Sequence, residues 1–256
     1  MSDGRGQAGL LKDRLVVVTG AGQGIGRAIA LGAAAAGARV VVTDLGQDRA
    51  DSVAREIRDG GKEAIGCSLD VTDALACGEV ARRVDEELGL ADVVVNNAGI
   101  IIREPIDSPR AHENWRQVFD VNVNGTFNVV HAFIPALRKS PGTIINVASV
   151  AAFGSMGGTV GYSSSKGAVR LFTQALARDL APDGIRVNAV APGIIATEMS
   201  ESTRGNPARL SGLMARTPLK RVGQPEEIAA PVIFLASAMA SYVNGVILPV
   251  DGGYLA

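Results

Sequence analysis

The chain has 256 residues, 47% of them hydrophobic, and a formal net charge of −1. That is enough apolar material for one large α/β domain or two small ones, and the charge balance gives no general attraction to nucleic acid or to an anionic membrane. Two cysteines, Cys67 and Cys77, lack metal-ligand spacing, so plain reduced thiols in a reducing compartment are expected.

The first ten residues are polar and Gly-rich. They read as a flexible tail, and they lack the apolar centre of a signal peptide. No apolar run approaches the roughly 18 residues of a membrane span, so a soluble cytoplasmic protein with no membrane partner is expected. From there short apolar runs alternate with amphipathic stretches. Strands are expected at 14–20, 38–44, 62–71, 91–99, 142–149, 185–193 and 245–253, each apolar and mostly β-branched. Helices are expected at 24–37, 48–61, 72–89 with Thr72 as N-cap, about 112–138, 160–181, and 225–237 opening on Pro225. Continuously apolar strands are buried on both faces, as in a parallel sheet covered by helices. The fold class is therefore α/β, a doubly wound, seven-stranded parallel sheet of Rossmann type, forming a single domain over 11–256. The segment 194–224 is polar and broken by Gly and Pro. It reads as an irregular substrate loop, long enough to be a lid.

Between the first strand and first helix lies TGAGQGIG, residues 19–26. The usual dinucleotide fingerprint does not fit, since Ile25 and Arg27 stand where its third Gly would fall from either starting point. The composition still suits a nucleotide. Gly20 can make a tight turn, and Gly24 and Gly26 let the chain enter a helix whose free N–H groups face a phosphate; a merely Gly-rich turn is the plain alternative. Asp44, 18 residues beyond Gly26 at the end of the second strand, is placed to accept hydrogen bonds from ribose hydroxyls and to repel a 2′-phosphate. Gln23 and Leu45 bring no cation to that phosphate, so NAD is expected in preference to NADP.

The chemistry is expected in residues 145–169. Tyr162 and Lys166 are four apart at a helix start, on one face and about 5–6 Å apart at Cβ. Ser149 ends the fifth strand, on the sheet edge that also carries the glycine loop. A hydride-transfer enzyme needs a proton donor for the developing alkoxide, and a free Tyr, with a pKa of about 10, is a poor base near neutrality. Lys166 together with an oxidised nicotinamide could lower it.

The ordered set of the TG-x-x-x-G-I-G loop, NNAG at 96–99, Ser149, YSSSK at 162–166 and PG at 192–193 resembles the short-chain dehydrogenase/reductase family over residues 11–256. The resemblance implies Tyr162 as general acid/base, Ser149 bonding the substrate oxygen, and Lys166 holding the nicotinamide ribose. It implies that Asn122 kinks its helix and keeps a water in a proton relay to Lys166, whereas Asn124 has no such role. Gly20, Gln23, Gly24, Ile25, Gly26, Asp44 and Leu45 would face the cofactor, Asp70 and Val71 would flank its adenine, and Asn96, Ala98 and Gly99 would line it. Pro192, Gly193, Ile195 and Thr197 would contact its nicotinamide end. It also implies a homotetramer, with the C-terminal stretch ending near Tyr254 at a subunit border.

Substrate choice is expected from the loops at 101–103, 154–156 and 194–224, with Arg103, Ala151, Met156 and Met199 as candidate contacts. Arg103 could meet a carboxylate or polyol oxygen; an ordinary exposed loop Arg is the alternative. The leading expectation is an NAD-dependent oxidoreductase acting between a secondary alcohol and a ketone of a sugar, polyol or aldonate. A 3-oxoacyl-thioester reductase is second, and a non-catalytic nucleotide-sensing protein third. No metal is expected, since His112 and His131 have no Cys or acid at ligand spacing.

Overall fold

In the computed structural model, which describes residues 9–140, 142–155 and 157–256, the apolar runs become β1 (Leu15–Val18), β2 (Arg39–Asp44), β3 (Ala64–Ser68), β4 (Val93–Asn96), β5 (Thr143–Val147), β6 (Arg186–Pro192) and β7 (Ile247–Val250). They form one sheet in the order β3-β2-β1-β4-β5-β6-β7, and every pairing is parallel. The strand order reverses between β1 and β4. That switch point opens a crevice at the C-terminal ends of the strands, where ligands of such sheets bind.

The helices are α1 (Gly24–Ala35), α2 (Gln47–Asp59), α3 (Ala74–Leu88), α4 (Ala111–Phe119), α5 (Gly125–Lys139), α6 (Val160–Asp179), α7 (Glu201–Arg204), α8 (Pro207–Arg216) and α9 (Pro225–Ala236). Side chains alternate across a strand, and the two faces of β1 show it. Val16 and Val18 pack with Ile29 of α1, Val53 of α2 and Val232 of α9. Leu15 and Val17 pack with Val84 of α3 and Phe133 and Leu137 of α5 on the other face. The doubly wound, seven-stranded α/β fold is thus the one expected.

Four details differ from the sequence reading. Helix α3 is capped by Asp73, whose carboxylate accepts from the N–H groups of Leu75 and Ala76. Thr72 instead donates its hydroxyl to Asp70, which holds it in the preceding turn. The long helix expected at 112–138 is interrupted by a π turn, Asp120–Asn124. The segment 194–224 is largely helical, because its punctuation starts and stops short helices: Gly205 closes α7, and Asn206 caps α8 with Pro207 in its first turn. The last strand is only Ile247–Val250, since the chain turns away at Gly252 and Gly253, both with positive φ. Of the expected N-terminal tail, residues 1–8 lie outside the described residues, and residues 9–13 form turns that bring Leu11 into the core.

Candidate active site

The glycine loop is shaped by close approach. Gly24 takes a positive φ of +53° as α1 begins. A Cβ on Gly26 would collide with the Gly20 carbonyl oxygen and Asn97 Nδ2. Asn97 Nδ2 donates to the carbonyls of Thr19 and Gly20, both at 2.9 Å. Thr19 Oγ1 accepts from the N–H groups of Asn97 and Ala98. The loop is therefore laced to the end of β4, and Gly26 lies beneath it as the residue that permits the contact. Asn97, which the sequence reading passed over, is the member of NNAG whose side chain does this. Asn96, expected to line the cofactor, points into the sheet and donates to Asn146 Oδ1 at 2.8 Å; strand alternation sends it there.

Asp44 closes this end of the crevice. It is buried, and its Oδ2 accepts from the Gly22 N–H at 3.0 Å. Its Oδ1 accepts from the Gly46 N–H at 3.1 Å, Arg49 Nε at 2.9 Å and Arg49 Nη2 at 2.6 Å. Positions 23 and 45 are neutral as read, yet a cation does stand at this end, supplied from the first turn of α2. Its signal in the sequence was an Arg five residues beyond the strand-end acid. Gly20, Gln23, Gly24, Ile25, Asp44, Leu45, Asp70, Val71, Ala98 and Gly99 all line a cleft of about 290 Å³ here, with Arg49 among them. The walls fit a dinucleotide: the backbone is bare at the glycines, and a buried acid stands at the far end.

Ile25, Asn97, Gly99, Thr197 and Met199 belong both to this cleft and to a second one of about 420 Å³, so the two form one groove. Ser149, Tyr162, Lys166, Pro192, Gly193 and Ile195 line the second part. Ser149 arrives from the end of β5, and Tyr162 and Lys166 from the first turns of α6. Burial pushes the Tyr162 phenol upward, whereas a hydrogen bond from Ser149 and the charge of Arg103 pull it down. Lys166 Nζ donates to the Val147 carbonyl at 2.7 Å and sits 5.8 Å from the Tyr162 ring centroid. Burial lowers its pKa to about 8. Arg103 thus adds a cation near the phenol to the Lys166 and oxidised nicotinamide expected from the sequence.

Asn122 lies buried in the π turn. Its Oδ1 accepts from the Ile100 N–H at 2.8 Å, and its Nδ2 donates to the Ile100 carbonyl and to Ser165 Oγ, both at 3.0 Å. A Cβ on Gly99 would come within 3.2 Å of Asn122 Oδ1 and 3.5 Å of Lys166 Nζ, so the three meet below the groove. Asn124 faces outward and bonds Asp120.

On the substrate side, Arg103 and Met199 line the cleft. Ala151 does not; it is buried against Tyr162 and Val118, and its N–H donates to Ser149 Oγ. Met156 lies outside the described residues. Arg209, Leu213 and Arg216 of α8, within the segment expected to supply substrate contacts but not singled out there, also line the cleft, as does Tyr254. The Arg216 guanidinium carbon stands 4.3 Å from the Tyr254 ring centroid, so Tyr254 serves its own chain's cleft. Among the described residues no group of three His, Cys, Asp or Glu side chains is placed to hold a metal.

Comparison with known proteins agrees with this geometry. Residues 20–255 match the family described as enoyl-(acyl carrier protein) reductase. The chain is 39% identical over 249 residues to a cyclopentanol dehydrogenase of Comamonas sp., covering 97% of this chain and 99% of that one. It is 42% identical over 247 residues to the L-tagatose-forming galactitol 2-dehydrogenase of Cereibacter sphaeroides, covering 93% of each. A crystal structure of a gluconate 5-dehydrogenase from Burkholderia cenocepacia, in complex with NADP and tartrate, superposes with a TM-score of 0.92 at 36% identity and 98% coverage of both chains. Sequence, sheet order and the Ser149, Tyr162 and Lys166 cluster converge on one assignment: this chain belongs to the short-chain dehydrogenase/reductase family.

Proposed function

We propose that the chain is an NAD-preferring oxidoreductase that interconverts a secondary alcohol and a ketone on a sugar, polyol or aldonate. One observation carries this reading. Ser149, Tyr162 and Lys166 gather at one end of a groove whose other end is formed by the glycine loop and the buried Asp44. A bound nicotinamide dinucleotide supplies or takes the hydride. Ser149 directs its hydroxyl at the substrate oxygen, and Tyr162 Oη gives that oxygen its proton or removes it. Lys166, whose Nζ donates to the Val147 carbonyl, would hold the nicotinamide ribose hydroxyls. Asn122 keeps the backbone at Ile100 in place and holds a water on the proton path to Lys166. NAD is preferred because a 2′-phosphate would face the Asp44 carboxylate and would have to break its pair with Arg49. Similarity to galactitol and gluconate dehydrogenases supports the polyhydroxy class. A 3-oxoacyl-thioester reductase is the second reading, supported by the acyl-carrier description of the matched family. We further propose a homotetramer, supported by Phe127 and Leu171, which are 53% and 66% exposed on α5 and α6.

The test is a panel of polyols, aldonates and 3-hydroxyacyl thioesters with NAD and NADP, read by absorbance of the reduced cofactor. Tyr162→Phe is expected to lower kcat by about 10²–10⁴-fold while NADH binding, followed by fluorescence, persists. Cofactor binding without turnover of any compound would overturn the reading.

A further inference from the structure

The second part of the groove carries a charge that proton and hydride transfer do not need. Arg103, Lys166, Arg209 and Arg216 line it, and among the described residues no Asp or Glu does. Arg209, Gly212, Leu213 and Arg216 are spaced i, i+3, i+4 and i+7 along α8, which is one helical face, and all four line the cleft. The helix therefore presents a cation near each end of its inner face with an apolar residue between. Arg103 approaches from the loop after β4.

These arginines have no anion of their own. Among the described residues none of Arg103, Arg209 and Arg216 joins an ion pair. Arg103 Nε is buried without a hydrogen-bond partner, and so is the hydroxyl of Thr203, a residue only 3% exposed that also lines the cleft. Burial and the charge of Arg209 both disfavour the Arg103 cation, as expected of like charges brought together out of water. Arg216 is held over Tyr254. Arg49, Arg82, Arg110 and Arg221, by contrast, each meet a carboxylate.

We propose that Arg103 and Arg209 together clamp a carboxylate of the substrate, so that the enzyme selects a hydroxy acid over the neutral polyol of the same carbon chain. The inference rests on the alcohol–ketone reading above and names its substrate as the acid. Guanidinium forks match a carboxylate in two-point contacts that a hydroxyl cannot reproduce. The clamp lies close enough to Tyr162 for Arg103 to act on its phenol. An anion fixed there sits beside the reacting carbon.

The experiment compares aldonates with alditols of matched configuration, D-gluconate with D-glucitol and D-galactonate with galactitol, plus 6-phosphogluconate. Wild type is expected to favour the acid of at least one pair in kcat/KM. Arg209→Gln and Arg103→Gln are each expected to lower the acid-to-polyol ratio by about tenfold or more. Arg82→Gln, which removes a charge on the outer face of α3, should leave it unchanged. Melting temperature gives a readout free of catalysis. The responsive aldonate should raise it in wild type and less in either clamp variant, because a ligand bound to the folded state stabilises it. Polyols turned over as well as their acids, with ratios unmoved in both variants, would overturn the clamp and leave the alcohol–ketone reading standing. A response confined to 6-phosphogluconate would replace the carboxylate by a phosphate and overturn the assignment. No turnover of any pair, with aldonates still raising the wild-type melting temperature alone, would keep the anion site and overturn the reading of the reaction.

Discussion

In the proposed reading, the choice between NAD and NADP falls to Asp44 and Arg49. The carboxylate collects four hydrogen bonds, two from backbone N–H groups and two from the one guanidinium. Asp44→Ala would remove the anion and free Arg49 for a 2′-phosphate. The NAD-to-NADP ratio of kcat/KM is expected to fall by about tenfold or more, in line with about 1.5–3 kcal/mol for a charged hydrogen bond; an unchanged ratio would refute the role of Asp44. Lys166 gives a second prediction. Burial lowers its pKa from 10.5 to about 8, so between those values the unfolded chain holds more protons at this site than the folded one. Stability from this residue therefore rises with pH across that window. Below pH 8 the ammonium is charged in both states and its full desolvation cost is present. In denaturant titrations of the cofactor-free protein, wild type should gain on Lys166→Met as pH rises from 8 to 10.5. A constant difference would contradict this. The Asp44 acid was legible in the sequence because it sits at a strand end, whereas its Arg49 partner depended on which way the first turn of α2 faces.

At the scale of elements, the loop–helix junction after β1 is the tightest piece of the site. Gly26→Ala would drive a methyl into the Gly20 carbonyl and Asn97. Overpacking of this kind costs about 1–3 kcal/mol, and here it also displaces the turn that faces the cofactor. NADH affinity is expected to drop by about tenfold or more along with a lower melting temperature; full affinity would show that Gly26 is not under compression. The π turn at Asp120–Asn124 was expected only as a kink implied by resemblance. Hydrophobic periodicity runs through it unbroken, and the side chain that marks it, Asn122, acts on Ile100, 22 positions earlier. Helix α8 was hidden for the opposite reason. Gly205, Asn206 and Pro207 look like loop residues, yet Asn206 accepts from the Arg209 N–H and begins the helix. With the helix unseen, the 209, 212, 213, 216 spacing had no face to belong to.

For the whole molecule, the exposed apolar side chains of α5 and α6 predict association. Phe127 and Phe172 meet at 6.3 Å between ring centroids, beside the exposed Leu171. Light scattering should find four chains in wild type and fewer in Leu171→Glu, since a charge in an apolar contact is unpaired and desolvated. A monomeric wild type would refute the tetramer. By itself the sequence determined the parallel sheet, its helical cover and the placing of the glycine loop, Asp44, Ser149, Tyr162 and Lys166 at one edge. These follow from local signals: apolar runs set strands, periodicity sets helices, and strand ends in such a sheet share one side. Only the tertiary structure decided which charges meet. That Arg49 turns to Asp44, that Arg103 comes near the Tyr162 phenol, that Asn96 faces inward and Asn97 holds the loop, and that two arginines of α8 line the cleft all depend on side-chain direction across distant segments. Electrostatic interaction falls with distance in space and not with separation along the chain, so the charge pattern of the site appears only once the chain has folded.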